Sequence, residues 1–138
     1  MVWHGQARIL NDKGLHMSTF HHQKLPAFST LLSGHTPRDT VGFRSERLQI
    51  WYNNTEETWK DPAPHYHTDS DEIFIVLRGS IVVEVEGERY TIQAGEFCCF
   101  PVGVYHSVVE VFPPVESFMI RAPSIDDKVY QHNGNEDD

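Results

Sequence analysis

The sequence predicts an all-β domain, either a sandwich or a barrel. Three observations carry that reading. Runs rich in branched and aromatic residues recur about every ten residues from Leu48 to Arg121, with Gly or Pro between them. Several runs alternate apolar and polar residues, which is the period of a strand with one buried face. No repeat of roughly 20–50 residues is visible that would indicate a solenoid or propeller.

The elements follow in chain order. Residues 1–41 read as an N-terminal arm that packs on the β domain or on a partner subunit. Pro26 to Ser33 predicts a short helix, with Pro early and Gly34 just past the end. His35 to Thr40 reads as loop. Residues 42–125 read as one β domain. In it Leu48-Gln49-Ile50-Trp51-Tyr52 is a strand by composition. Glu72 to Leu77 is the next, ended by Arg78-Gly79. Ile81 to Glu86 and Arg89 to Ile92 make a hairpin around Glu86-Gly87-Glu88. Alternation turns Glu84 and Glu86 to water and puts Ile81, Val83, Val85, Tyr90 and Ile92 on the buried face. Ala94-Gly95 turns the chain into the strand Glu96 to Phe100, which Pro101 stops. His106 to Phe112 ends at Pro113-Pro114, and Glu116 to Arg121 ends before Pro123. Residues 126–138 read as an acidic C-terminal tail, with Asn133 to Asp138 expected to be disordered.

The chain has 138 residues, enough for one core but not for two full domains. Its formal charge of −9 gives it no general attraction for nucleic acid or an anionic membrane surface. No apolar run approaches the 18 or so residues of a membrane-spanning helix. Met1 to Gly14 lacks the apolar stretch of a secretory leader. The two cysteines, Cys98 and Cys99, are adjacent and so poorly placed to pair with each other. They are expected to be reduced thiols of a cytoplasmic protein, one of them facing the interior as a small hydrophobe. On that reading the sequon at Asn53-Asn54-Thr55 is a chance match.

Of the nine histidines, His4, His16, His35 and His132 lie in polar contexts that call for no special role. His21 and His22 are neighbours, which face opposite ways on a strand and make poor joint ligands. His65-Tyr66-His67 differs, because residues two apart in an extended chain share a face, roughly 6.5–7 Å from each other. Two imidazoles so spaced can converge on one ion. Glu72 opens a strongly apolar strand, where a carboxylate is costly unless partnered. A cation held by His65 and His67 would be that partner, and His106 opens a later strand as a fourth ligand. Three imidazoles and a carboxylate suit iron, manganese, nickel, zinc or copper.

These residues resemble the two motifs of the cupin superfamily. The first is written Gly-x5-His-x-His-x3–4-Glu-x6-Gly; His65, His67, Glu72 and Gly79 match it, and Trp59 stands at the leading Gly position. The second is Gly-x5-Pro-x-Gly-x2-His-x3-Asn; Gly95, Pro101, Gly103 and His106 match it, and Glu110 stands at the final Asn position. Fifteen residues separate Gly79 from Gly95, as in compact single-domain cupins. The resemblance spans residues 48–121. It implies a jelly-roll, double-stranded β-helix barrel, and a homodimer. Trp3, Phe20, Phe28, Leu31 and Leu32 of the arm are apolar enough to cover a neighbour's sheet edge.

If Glu72 points inward, so do Phe74 and Val76; if His106 does, so do Val108 and Glu110. Phe74, Val76, Phe100 and Val108 are therefore candidate pocket walls. Glu72 and Glu110 are the candidate catalytic residues, although Glu110 can also be read as a strand-end residue paired with a cation. Arg121 could clamp a substrate carboxylate. The expected function is a metal-dependent oxygenase, with one divalent ion per chain, iron foremost, and a small enol- or catechol-like substrate. A non-redox isomerase, cyclase or lyase is the alternative, and a small-molecule-binding module with a structural metal is another.

Overall fold

The computed structural model describes residues 8–11, 14–17, 20–36 and 42–131. Among them are strands and loops and no helix. The strands are β1 (Arg8–Asn11), β2 (Gly14–Met17), β3 (Thr30–Gly34), β4 (Phe43–Arg44), β5 (Gln49–Thr55), β6 (His65–His67), β7 (Asp71–Val85), β8 (Glu88–Gln93), β9 (Phe97–Phe100), β10 (His106–Ala122) and β11 (Lys128–Tyr130). Among the described residues, strands β1 and β2 pair only with each other. The rest form the barrel, with order β11-β6-β10-β5-β3-β4 and β7 bridging β10, β8 and β9. Trp3, His4, residues 37–40, His132 and the tail from Asn133 fall outside the described residues.

The two long strands β7 and β10 are the spine, antiparallel from His106↔Val85 to Ala122↔Asp71. Each was expected as two strands. Gly79 bends β7 without ending it, at φ 74°. A Cβ there would lie 2.4 Å from the Pro114 carbonyl oxygen and 2.8 Å from that of Phe112, so only glycine allows β10 this close. The bend also switches the parity of the strand. Phe74 and Val76 face in before it, and Ile81 and Val83 face in after it. With Phe100, Val108, Val111 and Val115 these residues are the core.

The structure corrects three expectations. Residues 26–33 are not a helix: Thr30–Gly34 is a strand, because its backbone pairs with β5 through Thr30↔Tyr52, Leu31↔Trp51 and Ser33↔Ile50. That pairing buries Leu31 and overrides the local Pro and Gly signals. Tyr90 is exposed, because β8 has a neighbour on one side only and its outer edge meets solvent. Residues 128–130 form the strand β11 against β6. No helix among the described residues is long and apolar enough to cross a membrane.

Candidate metal centre

Strand β6 carries His65 and His67 on one face and turns Tyr66 the other way, against the ring of Tyr105 at 4.9 Å. His106 opens β10 directly opposite His65. Glu72 comes from the far end of β7, paired with Arg121 and Phe100. One donor atom from each of His65, His67, Glu72 and His106 lies within 4.8 Å of the others. All four side chains are buried.

The second ring nitrogen of each histidine is committed elsewhere. His106 Nδ1 is 2.9 Å from the Val104 carbonyl, His65 Nδ1 is 3.4 Å from that of Ala63, and His67 Nδ1 is 3.2 Å from Asp127 Oδ1. An acceptor at Nδ1 keeps the proton there and leaves the Nε2 lone pair free for a ligand role. His106 Nε2 meets Glu72 Oε1 at 2.9 Å, and His67 Nε2 lies 3.2 Å from Glu72 Oε2 without good hydrogen-bond alignment. The Phe100 ring stacks flat on His106, with centroids 4.0 Å apart.

The electrostatics prepare the same site. Burial, together with the nearby charge of His106, pushes His65 down to about 4, so it is neutral at pH 7. Burial would raise Glu72, but hydrogen bonds and charge from His106 and His67 overcome it and hold the carboxylate well below its usual range. Three imidazole nitrogens and an ionised carboxylate, converging in a buried space with one nitrogen poorly satisfied, fit a divalent transition metal.

Asp127 is a site residue that composition hid inside an acidic tail. Its Oδ2 accepts from the Asp69 backbone N–H at 2.9 Å and from Ser70 Oγ at 2.8 Å, while Oδ1 faces His67. Burial would raise its pKa, but these donors and the charges of His67 and Arg121 lower it.

A cavity of about 240 Å³ opens onto the cluster. Its walls are Trp51, Asn53, Trp59, Asp61, His65, Glu72, Phe74, Met119 and Lys128. Of the expected walls only Phe74 lines it. Val76 and Val108 are packed into the core, and Phe100 backs His106. The other walls come from β5, from the segment between β5 and β6, from β10 and from β11. Trp51 and Met119 lie on predicted strands and Trp59 at a motif position; Asn53, Asp61 and Lys128 carry no such signal.

Two further expectations are corrected. Glu110 is exposed and away from the cluster, because a bulge between Val108 and Glu110 shifts the register and reverses the side-chain parity of β10. Arg121 is no cavity wall. It is buried behind His67, 3.3 Å from Nδ1, and donates to Gln49 Oε1 and the Ile125 carbonyl. Elsewhere, His35 lies 2.7 Å from Ser124 Oγ and 3.3 Å from Asp126, in the order of a nucleophile triad. Ser124 is buried and spends its hydroxyl on Gln49, so no substrate reaches it.

A family model for the cupin domain matches residues 54–113. An uncharacterised protein of Aquifex aeolicus is 32% identical over 66 residues, which cover 48% of this chain and 54% of that protein. The chain thus spans about half the length of the curated relative it matches. Among solved structures, KdgF from Halomonas sp. superposes with a TM-score of 0.55 at 20% identity, over 71% of this chain and 79% of its own. Pac13, a nucleoside dehydratase, superposes with a TM-score of 0.56 at 13% identity, over 81% and 92%. A variant of this Streptomyces protein was solved with uridine. At such identities the likeness is one of fold.

Proposed function

The chain is a small cupin-domain protein, and from that premise we propose that it is a metal-dependent enzyme that moves a proton on a small, oxygen-bearing organic substrate. His65, His67, Glu72 and His106 would hold one divalent ion, drawn from iron, manganese, nickel, zinc and copper. When bound, such an ion supplies Lewis acidity toward a substrate oxygen.

The observation that carries the reading is Asp61. It lines the same cavity as Glu72 and His65. Its Oδ2 accepts from the Val108 backbone N–H at 2.7 Å, and its own N–H donates to the Val108 carbonyl at 2.9 Å. The carboxylate is thereby fixed with its other oxygen available. Burial raises its pKa, with the Val108 donor opposing, so it is a stronger base than an exposed carboxylate. Glu72 has both oxygens engaged by histidines, so Asp61 is the better acid/base. In this reading Asp61 accepts a proton from the carbon beside a carbonyl and returns it elsewhere on the same molecule, with no oxidant consumed. Asn53 offers an amide to orient substrate oxygens.

A second reading, an oxygenase, draws support from Phe74, Trp51, Trp59 and Met119, whose apolar surfaces limit water near the cluster. A homodimer and a cytoplasmic location belong to the proposal as well.

Metal-loaded protein incubated in D2O with a panel of α-hydroxycarbonyl compounds and catechols separates these readings by NMR and an oxygen electrode. Deuterium incorporation without oxygen uptake, abolished in Asp61→Asn at unchanged metal content, is the expected result. Oxygen uptake matched to substrate loss would replace it with the oxygenase. Binding without turnover of any compound would favour a binding module.

A further inference from the structure

The cavity has one cationic side chain in its wall, Lys128. Register sets Lys128 on β11 opposite His67 on β6, so it stands at the rim of the ligand cluster. Its ammonium makes no ion pair among the described residues. It lies 5.7 Å from the centroid of the Tyr130 ring and is otherwise exposed. In a chain of net charge −9 an unpaired lysine facing a cavity is a local exception.

Charge in the wall is easily counted. Asp61 and Glu72 contribute two negative charges and Lys128 one positive. With the divalent ion of the preceding section the total is one positive charge, which complements a monoanion. A phosphate monoester carries about −1.5 to −2 at neutral pH and overshoots it; a carboxylate matches.

The apolar walls set the shape. Trp51 and Trp59 are half-buried and line the cavity with flat, rigid rings. Trp59 stands where the cupin motif usually has glycine, so this chain places an indole at a position that ordinarily carries no side chain. About 240 Å³ falls below the roughly 300–1,000 Å³ of drug-sized pockets, which leaves room for a single ring.

We infer that the substrate is a flat, one-ring or enolic carboxylic acid, whose carboxylate is received by Lys128 while two neighbouring oxygens face the His65, His67, Glu72 and His106 cluster. This rests on the metal-dependent reading above, and it adds the charge, the shape and the orientation of the ligand.

Zinc-loaded protein, which has no redox chemistry, is titrated calorimetrically with catechol and with 2,3- and 3,4-dihydroxybenzoate. At least one dihydroxybenzoate should bind about tenfold more tightly than catechol, the scale of one charge-assisted contact at a partly exposed site. Lys128→Met keeps an unbranched stem beside Tyr130 and should erase the preference, so that the dihydroxybenzoates bind no more tightly than catechol does to the same variant. Lys128→Arg should retain it. A loaded wild type without carboxylate preference overturns the inference, as does a preference that survives Lys128→Met. Zinc content is measured on the same samples. Protein that does not retain zinc would instead count against the metal site itself, and against the present inference with it.

Discussion

The contact between Asp127 and His67 allows a quantitative prediction. In Asp127→Asn the side chain keeps its shape. The Oδ2 position already accepts from Asp69 N–H and Ser70 Oγ, so the amide oxygen must settle there. The amide NH2 then faces His67 Nδ1, where the carboxylate stood at 3.2 Å. His67 Nδ1 then faces two donors, the amide and Arg121 Nη1, and has lost its only acceptor among the described residues. His67 shifts its proton to Nε2, the nitrogen that faces Glu72, and a protonated nitrogen cannot ligate. The substitution also removes the negative charge that offsets Arg121, whose Nη1 is 3.3 Å from the same ring nitrogen. Outer-shell partners of metal-bound histidines are worth about 10–100-fold in affinity. Tautomer and charge act together here, so the expected loss is near the upper end, about 100-fold, or about 2.7 kcal/mol. Competition for zinc against a chromophoric chelator measures it, with circular dichroism to check the fold. A folded Asp127→Asn protein that binds zinc within threefold of wild type would refute the argument that Asp127 sets the His67 tautomer.

Other outcomes are expected on independent grounds. His65→Ala and His106→Ala each lower metal content sharply in elemental analysis, because each removes one of four donors. Gly79→Ala costs at least about 2 kcal/mol in denaturant unfolding, since it adds a strained positive φ to a 2.4 Å approach to the Pro114 oxygen. Burial holds the Cys98 thiol up to about 11 against its usual 9.0, so at pH 8 it carries about 100-fold less thiolate than an ordinary cysteine. Iodoacetamide should therefore label exposed Cys99 first, and Cys98 only as pH rises toward 11; equal rates at pH 8 would contradict this. Stability linked to the protonated Cys98 thiol is present below pH 9 and is lost through pH 11. Sedimentation at micromolar concentration should give a dimer, because Phe97, Phe112, Phe20 and Phe28 are all exposed; a clean monomer would count against it.

The legible parts of the sequence were those set by short-range geometry. His65 and His67 read as a pair because the strand period is two, and Glu72 stood out because a carboxylate heads an apolar run. The hairpin at Gly87 was equally plain, because turn chemistry and alternation agree there. Parity along a bulged strand was not legible. A single extra residue at Val109 turned Glu110 outward, and no local signal marks that residue. The strand at Thr30–Gly34 was hidden for a related reason. Its conformation is set by β5, about twenty residues further on, while its own Pro and Gly neighbours imitate helix ends.

The two departures from the cupin motifs therefore differ in meaning. Glu110 replaces the usual Asn at a position the bulge carries to the surface, so the change leaves the cluster untouched. Trp59 replaces the usual Gly at a position that lines the cavity, so the change alters what fits beside the cluster. Apart from Phe74, Trp59 and Asp61, which fall within the span of the first motif, the cavity residues that are not cluster donors lie outside both motifs. Trp51 and Asn53 come from β5, Trp59 and Asp61 from the link to β6, Met119 from β10 and Lys128 from an edge strand. The motif residues fix where an ion would sit and which nitrogens would face it. On the proposed reading the choice of substrate falls to side chains away from the motif anchors, carried by β5, the link to β6, β10 and β11, and substitutions there should change which compound binds while metal content stays the same.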